Sequence, residues 1–476
     1  MKHVMAKGTY YVLLSQIFFM MSSYLFHFGL GRYLGPADYG VVGIILSLLA
    51  LIQLFLLHGL HEIVVKYIAE NKQAAKSIYN NAQFIQLVFS LMLAGIYYLC
   101  APLVANLLND ISLLPYIKIS ALILPAISLY SISMAYLEGL KRFKAASAVK
   151  LVYGWSKLLF VGIFLFMGYR LGAIIFSFFL AALVAYLVFN IYIKNEKVDL
   201  PFEDRKGMMK LAIPIVVFYV GIIIVINMDI LFIKALIPMK ELVGYYTSSM
   251  TVSRVPYLFF ITMTTTLLPF VSKANADNNL PQVRNYVRKS LRYLLILLIP
   301  SIFIISLFSK SIIQIAYGSA YLPAGEVLSI MIWGYCFIIL FSILSTIFVA
   351  VNKIRVIVYV TLVMVVSEFF LNLYLVPMMG LQGGAIALTV STFIGFLIIF
   401  ILSSIEFKKI VRLSTTIKIA IACLIMYFFS KFLLFSGIYA IISIIMLYFI
   451  FFSILFVLKE LNKRDIAMVK KLILKS

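Results

Sequence analysis

Long apolar runs constrain this chain more than any other feature. Runs of roughly 20 or more apolar residues recur along the sequence and are separated by short polar loops. A helix rises about 1.5 Å per residue, so each run can cross about 30 Å of hydrocarbon. The chain is 64% hydrophobic and 12% charged, whereas a soluble domain is about half apolar and about a quarter charged. The sequence therefore predicts an all-α, polytopic membrane protein, not an enzyme acting in water.

The formal net charge of +23 does not indicate a nucleic-acid partner, because the basic residues lie in loops and form no soluble domain. The three cysteines, Cys100, Cys336 and Cys423, lie far apart in apolar segments and match no metal or redox spacing. No Gly-Lys phosphate-binding loop is present, so ATP is not expected to drive the protein directly. We therefore predict no metal and no cofactor.

The hydrophobic runs define fourteen candidate membrane spans. They cover residues 8–31, 39–61, 80–103, 113–137, 145–168, 171–193, 211–234, 242–270, 290–308, 324–349, 354–377, 383–404, 416–435 and 437–458. Most of the 40 lysines and arginines lie in the termini and in the loops after even-numbered spans. Because cytoplasmic loops carry an excess of Lys and Arg, both termini are predicted to be cytoplasmic, in the cytoplasmic (inner) membrane.

The two halves of the chain share short matches at similar spacings. The Gly-Ala-Ile sequence at 172–174 recurs at 384–386, an offset of 212 residues, and Gly40 and Gly244 are 204 residues apart. Six helices per repeat give both repeats the same orientation, so a pseudo-two-fold axis along the membrane normal is expected to relate them. The predicted divisions are an N-terminal six-helix lobe at 1–200, a C-terminal six-helix lobe at 201–410, and two additional helices with a basic tail at 411–476.

Four stretches match the motifs of a known superfamily. They are YLGPADYG at 33–40, Asp229 with VGYY at 243–246, Tyr317-Gly318 with Tyr321 and Ala324, and Asn372 with PMMGLQGGAIA at 377–387. On these residues the chain resembles the multidrug/oligosaccharidyl-lipid/polysaccharide (MOP) exporter superfamily, and within it the Wzx-type polysaccharide flippases. The two spans beyond twelve favour the lipid-linked glycan branches over the multidrug antiporters.

This resemblance implies a V-shaped, two-lobed bundle that exports a glycan by alternating access. The implied substrate is an oligosaccharide on a polyprenyl diphosphate carrier, such as an O-antigen or capsule precursor, moved from the cytoplasmic to the outer leaflet. Glycan polymerases or assembly proteins are the implied partners. The motif positions are Gly40, Gly244, Asn372, Pro377 and Gly380, and Asn372 is expected to cap or pack the approach to Pro377.

Four basic residues make up the predicted substrate site. A charge at mid-bilayer costs about 2.5–3.5 kcal/mol, so such residues are expected to face water or a counter-charge. Lys157 lies near the middle of the fifth span with Lys150 on the same helix face, and Arg254 lies near the middle of the eighth. We expect them to line a cavity between the lobes and bind a diphosphate, to which a guanidinium offers bidentate hydrogen bonds. The resemblance supports Arg254, since peptidoglycan-precursor flippases carry a cavity arginine in their eighth span, and adds Arg32 at the outer end of the first.

Each basic residue also has a structural interpretation. Lys150 and Arg32 can snorkel to the membrane interface, and Lys157 can pair with a nearby carboxylate. The segment 62–79 predicts an amphipathic helix on the cytoplasmic surface, whose lysines would contact anionic membrane lipids.

Two acids, Asp229 and Glu368, also lie inside predicted spans. One interpretation is proton or cation coupling; the other is helix-to-helix hydrogen bonding, with Asp229 paired to Arg254 or Lys234. Two other functions stay open. A multidrug or cation antiporter would have an acid-dominated cavity, whereas the interior bases here equal or outnumber the acids. A glycan polymerase or ligase would have a long extracytoplasmic catalytic loop, and the predicted outer loops are short.

Overall fold

The computed structural model describes residues 2–57, 59–193, 220–237, 239–351, 353–408, 410–433 and 439–461. The regular elements in these ranges are α-helices and short 3-10 helices, with no strand among them. The all-α prediction is confirmed. The chain separates into two compact units, Met1–Gly244 and Tyr245–Ser476.

The first unit is built around the buried helix α5. Its helices are α1 (Lys2–Leu57), α2 (Leu60–Glu70), α3 (Ala75–Leu107), α4 (Leu114–Ser120), α5 (Ile123–Gly139), α6 (Phe143–Phe166), α7 (Leu171–Ile193) and α8 (Met228–Leu236). The helix α5 packs against α2, α3 and α7, and α6 packs against α1 and α7. A further helix, α9 (Lys240–Phe260), begins in this unit and continues into the second.

A break at Gly35 divides α1 into two arms. Gly35 has a φ of 74°, in the left-handed region that glycine reaches without a Cβ penalty. Pro36 follows at the start of the second arm, where its missing N–H leaves no helical hydrogen bond unmade. The predicted spans 8–31 and 39–61 therefore form one broken helix, and the YLGP sequence is its joint.

The second unit contains the remaining helices. They are α10 (Thr262–Ala276), α11 (Leu280–Leu307), α12 (Ser309–Tyr317), α13 (Ala324–Ala350), α14 (Ile354–Met379), α15 (Leu381–Phe407), α16 (Leu413–Ser430) and α17 (Ala440–Val457). The deeply buried α13 packs against α10, α11 and α15. The helices α16 and α17 pack on each other and on α11, around an apolar core that includes Met426, Leu447 and Phe451.

The glycine-rich motif at 377–387 forms the tight connection between α14 and α15. Gly380 has a φ of 59° between the two helices, which again suits glycine. A Cβ on Gly383 would overlap the backbone carbonyl group of Leu375. The motif therefore brings the end of one helix into backbone contact with the start of the next.

Eleven helices in the described ranges are long and apolar enough to cross a membrane. The multi-pass prediction is confirmed, but the count of fourteen is not. The first two predicted spans correspond to the two arms of α1 on either side of Gly35. The predicted span 211–234 begins in residues 211–219, outside the described residues. The predicted span 242–270 consists of α9 and α10, which meet at Ile261.

The single amphipathic helix predicted over 62–79 is wrong. The helix α2 ends at Glu70, and α3 begins at Ala75. The apolar face of α2, including Ile63 and Ile68, is buried, because this helix packs against α5 and α3. Its apolar side therefore contributes to the core of the first unit.

Candidate functional site

Lys157 lies inside the first unit, enclosed by aromatic rings. Its side chain on α6 is only 5% exposed. The Nζ atom lies 4.8 Å from the ring centroid of Phe26 on α1 and 5.1 Å from that of Phe178 on α7. Both distances are within the range of about 6 Å over which a ring face attracts a cation. The contacts that hold Lys157 are therefore aromatic, and its predicted cavity role stays a prediction.

Lys150 lies two helical turns before Lys157 and contacts the same neighbour, α1. Its Nζ donates a hydrogen bond to Oε1 of Gln16 and lies 5.4 Å from the ring of Phe19. Between the two lysines, the ring of Tyr153 stacks on Phe19 at 6.3 Å. The interface of α1 and α6 thus carries two cationic side chains and a column of aromatic rings, all on the helix face that the spacing predicts.

Arg254 lies in the second unit, on the side of α9 that contacts α13. Its Nε donates a hydrogen bond to the Tyr335 hydroxyl at 3.1 Å, and its Nη2 contacts Sδ of Met250 at 3.4 Å. Tyr335 is fully buried, and Tyr257 packs edge-on against its ring at 6.2 Å. Arg254 is partly buried, and the fixed phenol of Tyr335 orients its guanidinium.

Glu368 and Asn372 are fully buried on α14 of the second unit. Ser391 of α15 donates its hydroxyl to Oε2 of Glu368 at 3.4 Å. The amide Nδ2 of Asn372 donates to the backbone carbonyl of Glu368 at 3.0 Å, so Asn372 bonds to the preceding turn of its own helix. The Glu368–Ser391 contact is the helix-to-helix bonding considered for the sequence; an ion-coupling role stays a prediction.

Asp229 is fully buried in the first turn of α8. Its Oδ1 accepts a hydrogen bond from the Ile230 amide at 2.9 Å. Lys234, one alternative partner, forms its ion pair with Asp110, at 3.0 Å between Nζ and Oδ2. Arg32 is exposed on α1, just before the break at Gly35.

Asp110 is the centre of a charged cluster that sequence reasoning missed. It caps the 3-10 helix Ile111–Leu113 by accepting a hydrogen bond from the amide of Ser112. Its Oδ2 contacts the buried Lys234 and also Nζ of Lys240, at 3.5 Å. Burial alone would raise the pKa of Asp110, but hydrogen bonds from Ser112 and Lys234 and the nearby lysine charges outweigh it and lower the pKa below its ordinary value. An Asp-x-Ser capping pattern and a lysine inside an apolar run were the available sequence signals.

The two motif glycines, Gly40 and Gly244, lie in backbone contact. A Cβ on Gly40 would lie 2.8 Å from the amide nitrogen of Gly244, and a Cβ on Gly244 would overlap the Pro36 carbonyl. Residues matched as counterparts in two repeats therefore touch within the first unit, joining α1 to the start of α9. We call this the glycine contact. Together with the Asp110 ion pair, it links the first part of the chain to the segment 228–244.

Within the ranges that the structure describes, no group of three or more His, Cys, Asp and Glu residues is placed to hold a metal ion. The predicted site residues supply ammonium, guanidinium and carboxylate groups. Groups of these kinds can bind a charged ligand, and that role stays a prediction for them.

The fold is shared with solved transporters. The lipid II flippase MurJ, in an inward closed conformation, matches with a TM-score of 0.77 and 19% identity over 95% of this chain and 99% of that one. An inward-facing multidrug resistance MATE family transporter of the MOP superfamily matches with a TM-score of 0.69 and 13% identity, over 83% of this chain and 95% of that one. The fold is thus that of the multi-pass helical transporters of the MOP superfamily.

The family follows from the sequence. The profile of the family described as "Polysaccharide biosynthesis protein" matches residues 30–326, and the chain belongs to this family. An uncharacterized membrane protein of Methanocaldococcus jannaschii is 24% identical over 433 residues, 85% of this chain and 99% of that protein. The probable low-salt glycan biosynthesis flippase Agl15 of Haloferax volcanii is 28% identical over 149 residues, 31% of this chain and 32% of that protein.

These matches confirm the predicted resemblance to the polysaccharide flippases of the MOP superfamily. They likewise confirm the prediction of a flippase-type transporter instead of an enzyme, because the relatives with a stated activity are flippases or transporters. The cargo, the direction of transport and the roles of individual residues stay predictions.

Proposed function

We propose that this protein flips a polyprenyl-diphosphate-linked oligosaccharide from the cytoplasmic to the outer leaflet of the cytoplasmic membrane by alternating access. The observation that carries the proposal is the family match over residues 30–326, which supports a cargo that is an intermediate of polysaccharide biosynthesis. Such an intermediate has an anionic diphosphate head. This chain places Lys150, Lys157 and Arg254 on helices within its apolar runs, and these cations match that head in charge.

The cations differ in how they would serve the ligand. Arg254 is oriented by the Tyr335 hydroxyl, and a guanidinium can form two parallel hydrogen bonds to a phosphate group. Lys157 is a point charge held by two rings, and it would attract the head electrostatically. Lys150 lies along the same face, and the exposed Arg32 would meet the head at the predicted outer end.

Alternating access requires contacts that break once per cycle. The glycine contact and the Asp110 ion pair are suited to this role, since both join the first part of the chain to the segment 228–244. By the predicted orientation they lie on the outer side. We propose that they are closed when the cavity faces the cytoplasm and separate when it opens outward.

The proposed driving force is the membrane potential. Moving an anionic head outward from the negative side gains about 2.3 kcal/mol per charge per 100 mV. Asp229 and Glu368 are the candidates for additional ion coupling, because both are fully buried acids within predicted spans. Anionic lipids of the bilayer and the polymerase or assembly proteins that use the flipped glycan are the proposed partners.

The test is transport by the purified protein in liposomes. A polyprenyl-diphosphate oligosaccharide with a fluorophore on the sugar is supplied in both leaflets, and a membrane-impermeant quencher measures the fraction reaching the outer leaflet. Wild-type protein should accelerate this exchange, and Arg254→Ala should slow it. Lys157→Met should slow it as well, and Lys144→Met, which removes an exposed cation from the same helix α6, is the matched control.

The second candidate is a multidrug or cation antiporter, favoured by the structural match to the MATE transporter. The same liposomes distinguish the two functions when loaded with a cationic dye under a proton or sodium gradient. Gradient-driven dye export without lipid flipping would replace the proposed function by this one.

A further inference from the structure

A basic cavity of about 190 Å³ lies between α11 and α16 of the second unit. It is lined by Asn285, Arg288, Lys289, Arg292, Val411, Arg412 and Thr415. Four of these described lining residues are cations, and none of them is a carboxylate. Since a water molecule occupies about 30 Å³ in the liquid, the cavity has room for a tetrahedral anion and the first atoms of its ester groups.

The nearest acid shown beside the cavity is already bound by its neighbours. Glu460, just after α17, accepts hydrogen bonds from Nε of Arg292 at 2.8 Å and from the Thr415 hydroxyl at 2.9 Å. Nζ of Lys418 lies 3.4 Å from its second oxygen. Burial alone would raise the pKa of Glu460, but these hydrogen bonds and the charge of Arg292 lower it below its ordinary value. Among the described residues, one carboxylate therefore stands beside five cations, and these groups together carry a positive excess.

An apolar cleft of about 540 Å³ continues along the same two helices. On α11 the residues Leu295, Ile299 and Phe303 follow Arg288 and Arg292 at intervals of three or four, so one helix face changes from basic to apolar. The opposite wall is formed by residues of α16, among them Ile419, Ala420, Cys423, Leu424 and Tyr427. The arrangement is cationic at the helix end and apolar towards the middle of the span.

We infer that this amphipathic groove binds an anionic phospholipid of the surrounding bilayer, with its phosphate in the basic cavity and an acyl chain in the apolar cleft. Arginines and lysines between membrane helices favour anionic headgroups. A free phosphate ion would make no contact with the apolar cleft, whereas a phospholipid would contact both the basic cavity and the cleft. The basic end of α11 is the end predicted to be cytoplasmic, where anionic lipids are enriched. The bound lipid would tie α16 and α17 to α11.

The test uses delipidated full-length protein in detergent and native mass spectrometry. Phosphatidylglycerol, phosphatidylcholine and inorganic phosphate are titrated separately. The wild type should retain phosphatidylglycerol in preference to the other two. Arg288→Gln with Arg412→Gln should weaken phosphatidylglycerol binding more than about tenfold, because each cation near an anionic headgroup contributes roughly fivefold. Arg292 is left intact because it holds Glu460.

Two further variants make the result specific. Lys141→Gln with Lys144→Gln removes two exposed cations of the first unit and should leave this binding unchanged. Ala420→Trp fills the cleft without altering the basic cavity; it should weaken binding of the lipid but not of water-soluble glycerol phosphate.

Three results would overturn the inference. The first is retention of phosphatidylcholine equal to that of phosphatidylglycerol. The second is binding of inorganic phosphate with the same affinity as phosphatidylglycerol. The third is an unchanged affinity for phosphatidylglycerol in a folded variant that carries both Arg288→Gln and Arg412→Gln. Retention of polyprenyl phosphate without phosphatidylglycerol would also overturn it, and would make the groove part of the substrate path.

Discussion

The glycine contact gives the sharpest prediction, the effect of Gly244→Ala. A Cβ at this position would overlap the Pro36 carbonyl and lie 2.8 Å from the Pro36 Cα, inside the 3.0 Å that real Cβ contacts keep. Both obstructing atoms belong to the backbone, so no side-chain rotation can relieve the overlap. The start of α9 must move away from α1, and the closed contact is weakened.

The size of the effect follows from the overpacking. Extra methyl groups in closely packed sites cost about 1–3 kcal/mol, which corresponds to a roughly 5- to 150-fold shift between two conformations. Alanine is also about 1 kcal/mol better than glycine inside a helix. That gain stabilises α9 equally in the open and the closed conformation, so it does not change the ratio of the two populations. We therefore expect a population shift towards the separated form and slower transport.

The assay is a distance measurement between spin labels on the two sides of the contact. Tyr33 and Met239 are 66% and 61% exposed, so both accept a label in a variant without cysteines. Gly162→Ala is the matched control, because a Cβ there meets nothing within 4 Å. Gly244→Ala should add or enlarge a long-distance population, and Gly162→Ala should not. Identical distance distributions in both variants and the parent would refute the reasoning.

The remaining predictions concern charges. Asp110→Asn leaves the buried Lys234 without its ionic partner and should cost about 3 kcal/mol of thermal stability, measured by melting in detergent. The pKa of Asp110 is lower in the fold than its ordinary value of about 3.9. The stabilisation by its carboxylate is therefore present above that value and is lost as the pH falls through the lowered pKa. Below pH 4 the parent should lose more stability than Asp110→Asn, and equal losses would contradict this. Lys157→Met should melt no lower than the parent, since it removes a buried charge, yet flip lipid more slowly; unchanged flipping would exclude Lys157 from transport. Arg254→Lys should flip more slowly than the parent and Arg254→Ala more slowly still, because an ammonium cannot form the bidentate fork; full activity of Arg254→Ala would remove this residue from the mechanism.

The sequence was sufficient to predict a multi-pass membrane protein, because one physical requirement dominates its composition. Each crossing needs about 20 apolar residues, and that signal survives uncertainty at every boundary. The break at Gly35 falls in the loop predicted between spans 8–31 and 39–61. The sequence was insufficient at Ile261, where the helix is interrupted inside a run of suitable composition. Hydropathy averages over about 19 residues, so it cannot resolve a break made by one residue.

The site was predictable only along single helices. The shared face of Lys150 and Lys157 follows from helical periodicity, and the structure shows both side chains contacting α1. Their aromatic neighbours were not foreseen, because Phe26 and Phe178 lie on other helices. The same limit explains the pairing of Lys234 with Asp110, since 124 residues separate two groups that are 3.0 Å apart. Pairing across helices depends on packing that periodicity does not encode.

A contact that opens in every transport cycle has an upper limit on its strength, because each 1.36 kcal/mol of added barrier slows opening about tenfold. The glycine contact meets this limit since two glycines bring backbones together without a large apolar side chain to separate. Lys240 is 46% exposed, and solvent screens its attraction to Asp110. Lys234 is only 3% exposed, so most of the electrostatic strength belongs to its ion pair with Asp110. If these contacts close the outer side, the Asp110 carboxylate sets how readily that side opens, and its charge is the most direct means of adjusting the transport rate.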